Sequence, residues 1–233
     1  MPEKRLVFLL TLLFLIIAII SFLFSPFFEI RNIEIERLRY INKNEIRGKL
    51  FPYYGRNLWL IRNSTIKNEI AKNNYVENVY INKRLPEKLR IEIQERIPQG
   101  QIRNNNQYLI FCKEGYILQY NQNKAEIVPE ITGLGYKFDN SDKLVFSSDF
   151  EKIVQALTII EENTRTYLNN INYKNGNIEI TLDSEILVKA GQPEDLELKF
   201  QILESTLEKI ESNNIEAESI NLTVTNRPAI QVK

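Results

Sequence analysis

VENVYINKRLPEKLRIEIQE, residues 76–95, alternates sides residue by residue in two runs. Val79 and Ile81 share one face of residues 76–83, and Leu89, Ile91 and Ile93 share one face of residues 88–95. A period of two marks half-buried strands, so the stretch reads as a hairpin with Leu85 and Pro86 in its connection. One apolar face needs a covering layer, and the preceding residues supply it. Asn42 with Glu45 three places on reads as a helix start with a capping-box partner, and Pro52 ends that helix after about Leu50. Gly55 and Asn57 mark a turn. Asn63 then caps a second helix with Ile66 and Ile70 on one face, and Asn73 and Asn74 offer its stop. Upstream, Phe28, Ile30, Ile33 and Ile35 are interleaved with Glu29, Arg31, Glu34 and Glu36 with one slip, the pattern of a strand with a bulge. The order is strand, helix, helix, strand, strand, a small α+β unit whose two helices bury their apolar stripes on one sheet face.

Further upstream, residues 6–24 (LVFLLTLLFLIIAIISFLF) carry no charge. At about 1.5 Å per residue such a helix spans roughly 28 Å, close to the hydrocarbon core of a bilayer. No small-residue cleavage pattern follows, so the segment reads as an uncleaved signal anchor over residues 6–25. Lys4 and Arg5 place residues 1–5 in the cytoplasm by the positive-inside rule, which sends the rest of the chain outward. A tail this short hosts no cytoplasmic activity.

Composition narrows the chemistry. Of 233 residues, 30 are Lys or Arg and 30 are Asp or Glu, so no net charge draws the molecule to nucleic acid. Histidine is absent and there is one cysteine, which excludes His-ligated metal sites, Ser-His-Asp and Cys-His nucleophiles, and an intrachain disulfide. No cofactor, metal or small-molecule substrate is expected, and no catalytic residues are assigned.

Beyond Pro98 short strands and turns take over: residues 108–112, a turn at 113–115, residues 116–120, and a piece around 127–131 before Gly133 and Gly135. A helix over 150–162 presents Ile153, Val154, Leu157 and Ile160, with Asp149 as its cap. Asn175-Gly176 predicts a type I′ turn between residues 171–174 and 177–182, and residues 186–190 add a strand. Pro193 opens a second helix in which Leu196, Phe200, Leu203, Leu207 and Ile210 recur at four and three. That stripe suits packing on a sheet better than a coiled coil, which needs sustained heptads. Residues 219–225 and 229–232 close the chain as strands, broken at 226–228.

Taken in this order, FEIRNIEIERLRYINKNEIRGKL (28–50), GRNLWLIRNSTIKNEIAKNNYVENVYINKRLPEKLRIEIQERIP (55–98), GYIL at Gly115, GQPEDLELKFQILESTLEKI (191–210) and INLTVTNRPAI (220–230) resemble the bacterial cell-division proteins FtsQ and DivIB. The resemblance implies a transmembrane helix, a POTRA domain over 27–98 and an FtsQ-type β domain over 99–233, the latter with two helices packed on an antiparallel sheet. Two places depart from the family pattern: Cys112-Lys113-Glu114 stands where an aspartate is common, and Asn221 replaces the aspartate of an I-D-L segment.

The resemblance further implies a non-enzymatic scaffold of the division machinery in the cell (inner) membrane, enriched at the division site. Its partners would be FtsB/FtsL (DivIC)-like single-span proteins, bound by strand addition to an edge formed by Leu222, Thr223, Val224, Thr225 and Asn226 with Ala229, Ile230, Gln231 and Val232. Through them it would help to recruit and regulate septal peptidoglycan synthesis. An open edge offers unpaired N–H and C=O groups, and alternate side chains set the register. On that pattern Thr223 and Thr225 share one face, Leu222 and Val224 the other. The plainer alternative is that these residues only complete the sheet.

A competing reading is a POTRA-containing chaperone or assembly factor of envelope protein export, although neither a barrel nor repeated POTRA units are legible. A membrane-anchored enzyme is disfavoured by the missing nucleophile and metal motifs. The pairs Glu92/Glu95 and Glu161/Glu162 read as solvated faces, and Lys83 and Arg84 as soluble charge at a hairpin tip that lipid head groups or an acidic patch would also accept. Trp59, Tyr53 and Tyr54 read as filling a small core or stacking in a turn, and Cys112 as a small buried apolar residue.

Overall fold

The computed structural model describes residues 2–36, 38–141, 143–183, 185–225 and 228–232. The chain forms two compact units, Met1–Arg96 and Ile97–Lys233.

In the first unit, α1 (Pro2–Leu23) contains a stretch, Lys4–Leu23, of 20 residues that is long and apolar enough to cross a membrane, none of them buried in the protein. β1 (Asn32–Ile35), α2 (Lys43–Leu50), α3 (Asn63–Ile70), β2 (Val76–Arg84) and β3 (Lys88–Glu95) follow. The sheet order is β1-β3-β2, with β3 parallel to β1 and antiparallel to β2. Val79, Leu89, Ile91 and Ile93 are buried with Ile46, Leu50, Ile66 and Ile70 of the helices, whereas Ile81 is half-buried.

The first strand is shorter than the alternation suggested. Pro26–Phe28 is a turn of 3-10 helix, and the next residues bond elsewhere than to β3: Ile30 N–H donates to the Arg56 carbonyl at 2.9 Å, and Leu58 N–H to the Phe28 carbonyl at 2.8 Å. The caps divide. Asn42 accepts from Asn44 N–H at 2.9 Å, but the Glu45 carboxylate turns to Lys49 and Asn73 instead of closing a capping box. Asn63 is the first helical residue of α3 rather than its cap; Arg62 holds that position, and the Asn63 Oδ1 is buried without a partner among the described residues.

The second unit contains β4 (Pro98–Asn104), β5 (Gln107–Cys112), β6 (Ile117–Asn121), β7 (Glu130–Thr132), β8 (Tyr136–Phe138), β9 (Leu144–Phe146), α4 (Ser148–Ile159), α5 (Glu162–Thr166), β10 (Leu168–Lys174), β11 (Asn177–Leu182), β12 (Leu187–Gly191), α6 (Leu196–Ser212), β13 (Ala217–Asn221) and β14 (Ala229–Val232). Nine strands make one sheet in the order β14-β13-β12-β11-β10-β7-β4-β5-β6, and β8 pairs with β9 apart from it. The sheet is mixed. β7 runs parallel to β4 and to β10, and β12 parallel to β13, because each of these pairs is joined through intervening elements rather than by a tight turn. Asn175 and Gly176 both have positive φ, as the type I′ turn between β10 and β11 requires.

One core joins this sheet to α4 and α6: Ile171, Ile178, Ile180, Val188 and Ile220 meet Phe150, Ile153, Leu157, Leu196, Phe200 and Leu203. Leu207 and Ile210 pack partly against it, so the α6 stripe serves the sheet. Both helix starts differ from expectation. Asp149 lies inside α4, where its carboxylate accepts the Tyr173 hydroxyl at 2.7 Å, and Ser147 is the cap position. α6 begins at Leu196 rather than Pro193, because Asp195 adopts a left-handed φ of 56° that helical backbone does not allow. Arg165, in α5, is buried and donates to the carbonyls of Leu157 and Ile160 at the end of α4 and to that of Pro98.

Candidate partner-binding edge

β14 is the last strand of the nine-stranded sheet and pairs on one side only, antiparallel to β13. Its residues Ala229, Ile230, Gln231 and Val232 carry no charge. Ile230 pairs with Ile220 and packs partly against the core; the other three are exposed. Gln231 is held on the solvent face: its Nε2 donates to Glu218 at 2.8 Å, and its Oε1 accepts the Ser219 hydroxyl at 3.3 Å. β14 therefore presents an uncharged border on which Gln231 is held in place by hydrogen bonds.

The upstream half of the expected edge is built otherwise. β13 ends at Asn221, and Leu222, Thr223, Val224 and Thr225 are not a strand. The Asn221 Oδ1 accepts both the backbone N–H of Thr223 at 3.0 Å and its hydroxyl at 2.7 Å, which bends the chain away from the ladder. Asn221, one of the two departures from the family pattern, is thus the residue that terminates the strand. Leu222 is fully buried and donates its N–H to the Lys189 carbonyl at 2.8 Å, whereas Val224 is 58% exposed, so these two do not share a face. Asn226 lies outside the described residues.

Beside the start of β13, a groove of about 820 Å³ is lined by Leu182, Ile186, Leu207, Ile210, Ile215 and Ala217 together with Tyr167, Asp183, Glu211 and Glu216. Ala217 pairs with Val232, so the groove adjoins the carboxy-terminal end of β14. Sequence reasoning did not find it. The available signal was the end of the α6 stripe, where Leu207 and Ile210 are only partly buried against the core.

Other residues singled out by pattern have structural placements. Glu95 accepts the backbone N–H groups of Arg39, Tyr40 and Ile41 at 2.7, 3.0 and 2.7 Å and so clasps the link between β1 and α2 instead of facing solvent freely. The Glu161 backbone N–H donates to Glu204 at 2.8 Å. Lys83 donates to the Ile61 carbonyl at 2.6 Å, and burial pulls its pKa down. Cys112 is buried, and burial first, then Glu114, pushes its thiol up to about 11. Trp59 stacks in a turn rather than filling a core: it is 48% exposed, with its ring edge-on to Phe28.

Residues 28–96 match the family described as POTRA domain, FtsQ-type. Cell division protein DivIB of Clostridium tetani is 26% identical over 225 residues, covering 89% of this chain and 81% of that protein. Cell division protein FtsQ of Rickettsia felis is 29% identical over 94 residues, covering 40% of this chain and 35% of that protein. The solved major extracytoplasmic domain of DivIB from Geobacillus stearothermophilus, in its trans isomer, aligns with a TM-score of 0.38 at 11% identity, covering 52% of this chain and 98% of that one.

Proposed function

From the premise that this chain belongs to the FtsQ/DivIB family of bacterial cell-division proteins, we propose that it is a single-span scaffold that captures another polypeptide on β14. Relatives named as cell division proteins support the division role, and α1 supports anchoring in the membrane. On this reading residues 1–5 stay in the cytoplasm, residues 6–25 cross the inner membrane, and the POTRA domain (27–98) and β domain (99–233) face outward at the division site. The partners are FtsB/FtsL (DivIC)-like single-span proteins, through which the scaffold helps to recruit and regulate septal peptidoglycan synthesis. It acts by binding and performs no catalysis.

One observation carries the proposal: β14 closes a large sheet with a strand that is uncharged, mostly exposed and paired on one side only. Main-chain pairing supplies affinity there, and the alternation of Ala229 and Gln231 against Ile230 and Val232 supplies register. Leu222 contributes by holding the turn in place rather than by contact, while Thr223, Val224 and Thr225 flank the added strand. Photo-crosslinkers placed singly at residues 222–225 and 229–232 in dividing cells test this. Expected are adducts with one partner whose yield alternates along β14, with position 222 blank. Co-purification of that partner with no adduct anywhere along β14 would remove strand addition.

A further inference from the structure

α1 does not merely lead into the folded unit; it is bonded to it. The Nδ2 of Asn57 donates to the carbonyl of Leu23, the last residue of α1, at 2.9 Å. The Oδ1 of the same side chain accepts the backbone N–H of Trp59 at 2.9 Å. One amide thus satisfies a helix-end carbonyl that has no partner within the helix and shapes the turn that carries Trp59 and Leu60. The buried ring of Phe28 fills the angle between them, with centroids 5.3 Å from Phe22, 5.1 Å from Phe27 and 6.0 Å from Trp59.

Around that joint large apolar side chains are left outside. Phe22, Phe27, Trp59 and Leu60 are 55%, 53%, 48% and 62% exposed. A cluster of this kind is unfavourable in water and marks a contact surface. Its position names the contact. A 20-residue apolar helix is about 30 Å long, the thickness of the hydrocarbon core, and the cluster surrounds the end of that helix. There hydrocarbon gives way to head groups, a layer that takes both the rings of a tryptophan and its N–H. Arg56 and Arg62, both exposed, flank Trp59 in sequence and offer positive charge to lipid phosphates.

We propose that the loop over residues 55–62 is a membrane foot: Trp59 and Leu60 sit in the bilayer interface at the outer end of α1, and Asn57 fixes the POTRA domain's tilt on the lipid. The proposal rests on α1 crossing the membrane, and the test separates the two. Trp59 is the single tryptophan, so its emission reports the loop directly. The full chain is reconstituted in phosphatidylcholine and phosphatidylglycerol vesicles with bromine placed either near the head groups or near the acyl-chain ends. Shallow bromine is expected to lower Trp59 emission roughly two-fold, and deep bromine much less. A second protein, Phe14→Trp in a Trp59→Phe background, reports the helix and is expected to be quenched by deep bromine. Quenching of the Phe14→Trp probe without quenching of Trp59 would overturn the foot alone. Failure of the Phe14→Trp probe would overturn the span and the foot together. A Trp59 shielded from acrylamide yet indifferent to both bromines would mean a protein covers the loop, which also overturns the proposal. Asn57→Ala should weaken the shallow quenching and leave the Phe14→Trp signal unchanged.

Discussion

The two ends of the nine-stranded sheet share a composition without charge and differ in how the rest of the domain uses them. β6 begins with Ile117 and Leu118, both buried, and the turn that precedes it is bonded into the body of the fold, where Gly115 accepts the Leu144 N–H at 2.8 Å. β14 sends one half-buried side chain, Ile230, toward the core and leaves three residues outside. Edges are usually protected by charge, as in the first unit, where Glu34 of β1 and Glu36 just beyond it pair with Lys88 and Arg90 of β3. Neither end of the large sheet uses that device, so burial distinguishes them: β6 sends its first two residues into its own domain, and β14 leaves three of its four outside.

The contrast breaks most easily at the β6 end. Phe111, on the neighbouring β5, is fully buried with its ring 5.4 Å from Phe146 and 5.8 Å from Phe150. Phe111→Ala should cost about 3–5 kcal/mol, read as a large drop in the thermal midpoint of the full chain in detergent. Next in size is Gly115→Ala. Gly115 has a φ of 84°, and an added Cβ would lie 2.2 Å from the Leu144 carbonyl oxygen, so the backbone must move; at least about 2–3 kcal/mol is expected in the same measurement. A mild effect from either substitution would mean that the β6 end is as dispensable as β14.

Much of this was legible in the residues and the misses have physical causes. Period-two alternation located β2 and β3, and the α6 stripe located the helix that covers the large sheet, because burial on one face writes itself into the pattern. Element ends were less legible. Asp195, Asn221 and Asn63 are each residue types that cap, turn or adopt left-handed backbone, and the sequence does not say which of these options the tertiary contacts select. The strand expected over residues 222–225 gives way to a turn set by the Asn221 side chain, which ends β13 with two hydrogen bonds. Of the two placements the pattern allowed Trp59, the structure takes the turn, where its indole meets Phe28 edge-on from 31 positions away, a relation that no local period records.

A pH titration sharpens the comparison at the same end of the sheet. Cys112, the last residue of β5, has its thiol raised from 9.0 to about 11, chiefly by burial. A raised acid is a neutral group that folding prefers, so its stabilising effect is complete below pH 9 and is lost as pH climbs through 11. Wild type and Cys112→Ala should therefore keep a constant difference in midpoint from pH 7 to about 9, and the wild type should then lose up to about 2 kcal/mol relative to the variant. Native protein at pH 8 should also resist alkylation of this thiol. Ready labelling without unfolding would show that the β5–β6 end opens.

The smallest effect on stability should come from β14 itself, and it bears most directly on the reading of the edge. Ile178, in the middle of the sheet, and Ile230, at its border, are the same residue in the same kind of strand, one fully buried and the other partly. Ile178→Ala should cost about 2–5 kcal/mol. Ile230→Ala should cost under about 1 kcal/mol, since water already reaches the side chain and little cavity is left. If β14 only completes its own domain, the Ile230 change is small in every assay. If β14 receives a partner strand, replacing Ile230 by alanine removes a side chain that the added strand would pack beside. Capture of the partner would then weaken although the midpoint hardly moves. A variant stable by calorimetry and deficient in crosslinking therefore favours strand addition, and one intact in both assays favours an edge that merely finishes the sheet.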